Sequence, residues 1–351
     1  MKSLNRTLSL VLVLVMVLGL VGISAGASFK DEAKINYKEA VGVMTGIGAL
    51  VGYPDGTFNG AGTVTREEAV KTVVYAVLGA DIAKTLAGTA TGFADVDAGR
   101  WSSGVIAYAV SRGIINGRDA KTFDPTGNVT ANEVGKMMLC AAGYGAKGEF
   151  IGSSWELNTA VLANKVGLFA DSKAANHSTP ATREETALYV FNGIQVEQVE
   201  YNKVFGSYIS NKGLNIDATT IMQDVYSTTL SGRSILDASG APSTRWTFKG
   251  KEIGTYNLEA TYTFTKNMNT VDGKKELTAT FKNFAIGDLD TSAVGSNNYI
   301  HLNGAKGTEL TAQNLVDELA KVTADGRTVR VFVPKNHTNT ILSINAIDTE
   351  L

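Results

Sequence analysis

Two rhythms of apolar residues divide the chain. Up to about residue 195 they recur every three to four positions, the spacing of a helix with one buried face. Trp101, Val105 and Ala109, broadened by Ala107 and Val110, make one such run; Val134, Met137, Met138 and Ala141 make another. After Ile194 alternation takes over. Leu258, Ala260, Tyr262 and Phe264 fall on one face and Asn257, Glu259, Thr261 and Thr263 on the other, which predicts a half-buried strand. Leu277, Ala279 and Phe281 repeat the alternation, and Asp272-Gly273 between the two runs predicts a hairpin with a long turn. Val329, Val331 and Val333 alternate before Pro334, and Ile341 to Ile347 follows across a polar turn. Further strands are predicted around 203–209 and 244–249, and a short helix opens at Thr311 and runs through Leu315, Leu319 and Val322. The fold class is α+β and multidomain: an all-α N-terminal part, then a mainly antiparallel β region over 196–351 that forms one or two small domains.

The helical part uses one unit three times. Val64-Thr65-Arg66-Glu67-Glu68-Ala69 returns as Val129-Thr130-Ala131-Asn132-Glu133-Val134 and as Ala181-Thr182-Arg183-Glu184-Glu185-Thr186. Each copy reads Thr-x-x-Glu before an apolar-periodic run, which predicts a capping box with the Thr hydroxyl on the Glu N–H and the Glu reaching back. Upstream, Phe29-Lys30-Asp31, Tyr37, Gly48, Gly52 and Thr57-Phe58 match Phe93-Ala94-Asp95, Trp101, Gly113, Gly117 and Thr122-Phe123 at equal intervals. The third copy keeps Trp155, Gly167-Leu168 and Thr182 but has a shorter loop without the Thr-Phe pair. Each unit reads as helix, glycine-pinned loop, helix. Gly113 is the expected left-handed end of its first helix, and Tyr53-Pro54-Asp55-Gly56 is a fixed turn. One helix pair has too little core to fold alone, so the three are expected to share one. The boundaries are 28–90, 91–150 and 151–195.

The arginines are the unusual feature. Arg66 and Arg183 fall in the first helical turn, where the helix dipole disfavours a cation by up to about 1 kcal/mol. A helix N-terminus with an added guanidinium suits an anion. The alternative for each arginine is a surface ion pair with a neighbouring Glu, worth about 0–1 kcal/mol.

These residues resemble the S-layer homology repeat, the bacterial cell-wall anchoring module, over about residues 28–195. The family pattern of F-x-D-V, a Trp in the first helix, G-I-x-x-G, D-G-T-F-x-P and T-R-x-E is met in the second unit by Phe93, Asp95, Val96, Trp101, Gly113-Ile114, Gly117, Thr122-Phe123 and Pro125. In the first it is met by Phe29, Asp31, Asp55-Gly56-Thr57-Phe58 and Val64-Thr65-Arg66-Glu68. The resemblance implies a pseudo-threefold assembly around a central helix bundle. It also implies grooves between repeats that take an acidic secondary cell-wall polysaccharide, often pyruvylated, with the T-R-x-E arginine on the anion. The candidate ligand-binding set is Arg66 and Arg183, the capping Thr65 and Thr182, the turn glycines Gly52 and Gly117, and Asp55. Ala131 stands where the second unit should have its arginine, so that groove is expected to be weakened or read differently. Tyr37 replaces Trp in the first unit, a tolerable aromatic exchange.

Composition adds the compartment. Lys2 and Arg6, the apolar run Leu8–Ile23 and Ala25-Gly26-Ala27 read as a cleavable export signal over 1–27, with a retained anchor as the alternative. The predicted localisation is the cell wall or cell surface, as in a surface layer. The one cysteine, Cys140, sits in an apolar helical run and reads as a small core residue. A formal charge of −2 gives no global field for nucleic acid.

No catalytic, cofactor or metal constellation emerges, and the chain is read as a non-enzyme. His177, His301 and His337 are scattered without ligand spacing. Asp288/Asp290 fit a hydrolase pair or a calcium loop less well than exposed loop acids. The Tyr- and Thr-rich strands leave a sugar-binding or self-associating surface open. Three function classes follow: an envelope-anchoring or surface-layer protein, a wall hydrolase anchored by the repeats, and an outer-membrane barrel. The barrel is weakened because eight ten-residue strands do not emerge from the β region.

Overall fold

The computed structural model describes residues 29–282, 299–311, 313–333 and 343–348. The predicted leader over 1–27, Asp288/Asp290 and His337 lie outside them. Among the described residues two compact units emerge, one of those up to 231 with 247–254 and one of 232–246 with those from 255 onward.

The first unit contains three helix pairs: α1 (Lys38–Gly46) with α2 (Arg66–Leu78), which α3 (Ala80–Ala83) extends; α4 (Ser103–Ser111) with α5 (Ala131–Ala141); and α6 (Trp155–Lys165) with α7 (Arg183–Gly193). All three capping boxes form. The hydroxyls of Thr65, Thr130 and Thr182 accept from the N–H of Glu68, Glu133 and Glu185, and each Glu accepts from its Thr N–H in return. Gly113 takes the expected left-handed φ of 68°. Phe58 and Phe123 of the two Thr-Phe pairs are fully buried.

The pairs do not pack as isolated hairpins. α2 lies on α4, α5 on α6, and α7 on α1, so each second helix docks on the first helix of another pair. The three second helices also meet one another, with Val70, Val73, Val74, Met137, Met138, Ala187 and Val190 among the buried side chains. The chain entering these helices closes a ring of backbone hydrogen bonds. Val64 N–H donates to Ala181 O at 3.2 Å, Ala181 N–H to Val129 O at 2.8 Å, and Val129 N–H to Val64 O at 3.0 Å. Three segments of one sequence pattern thus satisfy each other's entry strands, which no single segment can do alone.

After α7 the first unit continues into the hairpin β1 (Val199–Asn202) and β2 (Ser207–Ser210) and the short α8 (Ile221–Tyr226). Tyr226 is buried, and its hydroxyl donates to Ala76 O at 2.8 Å, satisfying a carbonyl near the end of α2. Burial pushes the Cys140 thiol up to about 11, which keeps it protonated and inert.

Strands β3 (Leu230–Leu236), β4 (Pro242–Phe248) and β5 (Lys251–Asn257) form one three-stranded sheet. The second unit holds a five-stranded mixed sheet in the order β6 (Tyr262–Phe264), β9 (Arg327–Phe332), β10 (Ser343–Asp348), β7 (Tyr299–Leu302), β8 (Ala305–Glu309). The β10/β7 pair is parallel; β6/β9, β9/β10 and β7/β8 are antiparallel. Helices α9 (Val271–Phe281) and α10 (Leu315–Ala324) supply Leu277, Phe281, Leu315 and Leu319 to a core shared with Phe264, Ile300, Val329, Val331 and Ile344.

The predicted α+β class holds, and most of the described strand pairs are antiparallel as expected; the one parallel pair, β10/β7, makes the five-stranded sheet mixed, and α9 and α10 add to its core. The predicted hairpin partner at 277–281 is helix α9. Leu277 and Phe281 also stand four apart, so alternation and helical spacing coincide there. Thr270 then settles the choice as an N-cap, its hydroxyl accepting from Gly273 N–H at 3.0 Å. The strands predicted over 329–333 and 341–347 pair as β9 and β10 over their described residues.

Candidate functional site

The first residue of each second helix is delivered into the loop of another segment. The capped helix start fixes its direction, and the entry strand fixes its place. Arg66 N–H donates to Gly127 O and Arg183 N–H to Gly62 O, so both side chains leave their helices beside a foreign loop.

Arg66 is 4% exposed. Its Nε donates to Phe123 O at 3.0 Å, Nη2 to Asn116 O at 3.1 Å and Nη1 to Glu133 Oε1 at 3.0 Å. Its guanidinium carbon lies 5.0 Å from the Phe123 ring centre. Burial pushes this guanidinium below its ordinary range, and Glu133 opposes the shift. Glu133 works twice: Oε2 accepts from its own cap residue Thr130, and Oε1 also accepts from Arg118 Nη1.

Arg183 is 8% exposed and repeats only part of this arrangement. Its Nε donates to Phe58 O at 3.0 Å and Nη2 to Val51 O at 2.9 Å. Its guanidinium carbon lies 4.9 Å from the Phe58 ring and 4.7 Å from the Tyr53 ring. Tyr53 stands five residues before Phe58, as Arg118 stands five before Phe123. The third seam has Ala131, whose N–H donates to Thr179 O, and no guanidinium. There Asn132 is buried, with Nδ2 on Ser178 Oγ and Oδ1 unpartnered, and His177 stacks on Phe169 at 4.1 Å.

The second residue of each helix crosses the same seams. Glu184 accepts from Asn36 N–H and Nδ2, and Glu67 accepts from Arg100 Nε and Nη2 and from Ser102 Oγ. The loops themselves are pinned by the F-x-D aspartates. Asp31 accepts from the N–H groups of Phe58 and Asn59, and Asp95 from those of Phe123 and Asp124.

The other sequence-predicted residues fall nearby with definite jobs. Thr65 and Thr182 are occupied as helix caps. Asp55 Oδ1 accepts from Thr57 N–H and Oγ1 and closes its own turn. Gly52 and Gly117 are glycines because an aromatic ring approaches their backbone: a Cβ would lie 2.6 Å from Phe29 Cε1 in one and 2.4 Å from Phe93 Cε1 in the other. A cavity of about 550 Å³ adjoins the first loop, lined by Lys34, Tyr53, Asp55, Thr57, Asn59 and Gly60 among others. Sequence reasoning missed Tyr53, Arg118 and the second role of Glu133. Aligning the two loops five residues before each Phe carries the signal for the first two.

Among the described residues there is no cluster of His, Cys, Asp and Glu that could hold a metal ion, and no helix long and apolar enough to cross a membrane. Residues 28–70 and 92–130 match the S-layer homology domain. The chain is 27% identical over 282 residues to the surface-layer 125 kDa protein of Lysinibacillus sphaericus, covering 74% of this chain and 22% of that protein. It is 36% identical over 91 residues to cell surface glycoprotein 1 of Acetivibrio thermocellus, covering 26% of this chain and 4% of the relative. It is 24% identical over 180 residues to the middle cell wall protein of Brevibacillus brevis, covering 50% and 16%. The chain thus spans about a fifth or less of the length of these relatives. It is an exported cell-surface protein that carries S-layer homology domains.

Proposed function

We propose that this chain anchors non-covalently to the cell wall by binding an acidic, pyruvylated secondary polysaccharide in the seams between three S-layer homology repeats, as part of a surface layer. The third repeat is residues 151–195, and the three form a pseudo-threefold body. The closed ring of hydrogen bonds through residues 64, 129 and 181 supports that arrangement. The observation that carries the binding reading is the set of seams itself. A nearly buried guanidinium from one segment lies against an aromatic ring and a pinned, amide-rich loop of another. A carboxylate-bearing sugar needs such a fixed cation, N–H donors and a flat apolar face. Arg66 and Arg183 supply the cation, Gly52 and Gly117 let the loops close, Thr65 and Thr182 set the helix starts, and Asp55 shapes the first loop. The β-bearing region is left for contacts between copies.

Sedimentation of the full chain with purified walls tests this. Intact walls are expected to carry the protein down, and walls stripped of secondary polymer to leave it in solution. Equal sedimentation with both preparations rejects the polysaccharide as the ligand. Arg66→Ala with Arg183→Ala, checked by circular dichroism, is expected to abolish sedimentation.

A further inference from the structure

We infer that only the Arg183 seam of this chain accepts the acidic ligand, because the Arg66 seam already holds an anion of its own, the Glu133 carboxylate. This rests on the proposed polysaccharide reading and narrows it to one seat. The two arginines occupy equivalent positions, and both hold their loop through Nε and Nη2 on two carbonyls. They differ at Nη1. In Arg66 it donates to Glu133 Oε1, which Arg118 also reaches, while Arg118 Nε lies 3.6 Å from Asp124 Oδ2. Two cations face two carboxylates, so an incoming anion finds no uncompensated charge and must displace a buried pair.

At Arg183 the matching acid is Glu68, the third residue of the helix whose segment supplies the loop. Glu68 Oε2 accepts from Thr65 N–H and Oγ1, and Arg183 makes no ion pair among the described residues. Nη1 is left without a partner on a side chain more than nine-tenths buried. The Arg118 position is Tyr53, so an extra cation gives way to a ring stacked on the guanidinium. Tyr53 also lines the neighbouring open cavity of about 550 Å³, which Arg183 itself does not line. Asp31 and Asp55 line it too, but each carboxylate accepts loop N–H groups, and Lys34 stands beside them. The third seam has Ala131 and offers no cation.

Isothermal titration of the full chain with a synthetic pyruvate-ketal hexoside decides the matter, the same hexoside without the ketal serving as control. The expected stoichiometry is one ketal per chain. Arg183→Gln should weaken binding about 10- to 100-fold, the loss of one charge-assisted contact. Arg118→Ala, which sits on the exposed rim of the other seam, should leave affinity within about threefold. Glu133→Gln should raise the stoichiometry towards two. Two sites in the unaltered chain, or unchanged affinity in Arg183→Gln, overturns the one-seat inference while leaving the anchoring reading standing. Absence of ketal binding together with sedimentation on stripped walls removes the polysaccharide reading itself.

Discussion

Arg66 and Arg183 begin as the same residue in two copies of one motif and end in different chemistry. Both leave a capped helix, both cross into a foreign loop, and both stack on a buried phenylalanine. One closes a buried ion pair and the other keeps a donor unspent. The deciding contact is Arg66 Nη1 on Glu133, where the matching Glu68 bonds only its own cap residue; five positions ahead of each loop phenylalanine, Arg118 adds to the first pair and Tyr53 to none. A repeat can thus keep its architecture while side-chain pairing turns one seam into a joint and leaves another as a seat.

The largest effect that could break this comparison is on stability. Arg66→Ala leaves the buried Glu133 with only the rim cation Arg118 and removes two bonds to loop carbonyls, and should cost about 2–4 kcal/mol. Arg183→Ala strands no carboxylate and should cost about 1–2 kcal/mol for its lost hydrogen bonds. Urea unfolding of both variants checks this. Equal losses would mean that the ion pair adds nothing to the joint. Glu133→Gln should recover part of the Arg66→Ala loss, and the coupling measured by a double-mutant cycle reports the pair.

Next come the loop pins, which the two seams share. Asp31→Ala and Asp95→Ala each remove a carboxylate from two backbone N–H groups, for a loss of about 1–3 kcal/mol. Burial pushes both carboxyls up, but the N–H donors outweigh it and hold them below their ordinary value of 3.8. Carboxyls with depressed values stabilise the fold above the unfolded value and lose that contribution as pH falls through the lower folded one. Acid unfolding below about pH 4 should therefore be blunted in the Asp31→Ala and Asp95→Ala double variant. A profile unchanged from that of the parent chain would show that these aspartates do not govern it.

How much of this was legible depends on how local each signal is. The capping boxes were, because a Thr and a Glu three apart satisfy each other within one turn. The F-x-D aspartates were visible as a repeated residue but not as pins, since each bonds a loop 27 to 29 positions away. The exchange of helix faces between segments was not legible either, because an apolar stripe does not say which partner covers it. In the β-bearing region, Leu277 and Phe281 satisfied two periodicities at once, and the helix won through a cap at Thr270. Smaller and more uniform effects test the local part. Thr65→Ala, Thr130→Ala and Thr182→Ala should each cost about 1 kcal/mol. A much larger loss at one of them would show that its hydroxyl does more than cap.

The smallest prediction separates the seams through a residue that neither motif names. Lys71 on α2 is partly buried, lies 4.9 Å from the Tyr75 ring and makes no hydrogen bond or ion pair among the described residues. Its counterpart Lys136 donates to Phe150 O at 2.9 Å. Burial first, and then the charge of Arg183, lower the Lys71 ammonium from 10.5 to about 8. A cation with a depressed value destabilises the folded state at every pH below that value, and the penalty fades as pH rises from about 8 to 10.5. Lys71→Met should therefore raise stability at pH 7 by up to about 1 kcal/mol, partial exposure reducing the full effect of the shift. The gain should vanish above pH 10.5, where both states carry the neutral amine. Because Arg183 is one of the charges opposing Lys71, Arg183→Gln should raise the Lys71 value, measurable by NMR of its side-chain carbons. Arg66→Gln should leave it where it is. If both substitutions move Lys71 alike, the uncompensated charge is not confined to the Arg183 seam, and the distinction between joint and seat fails.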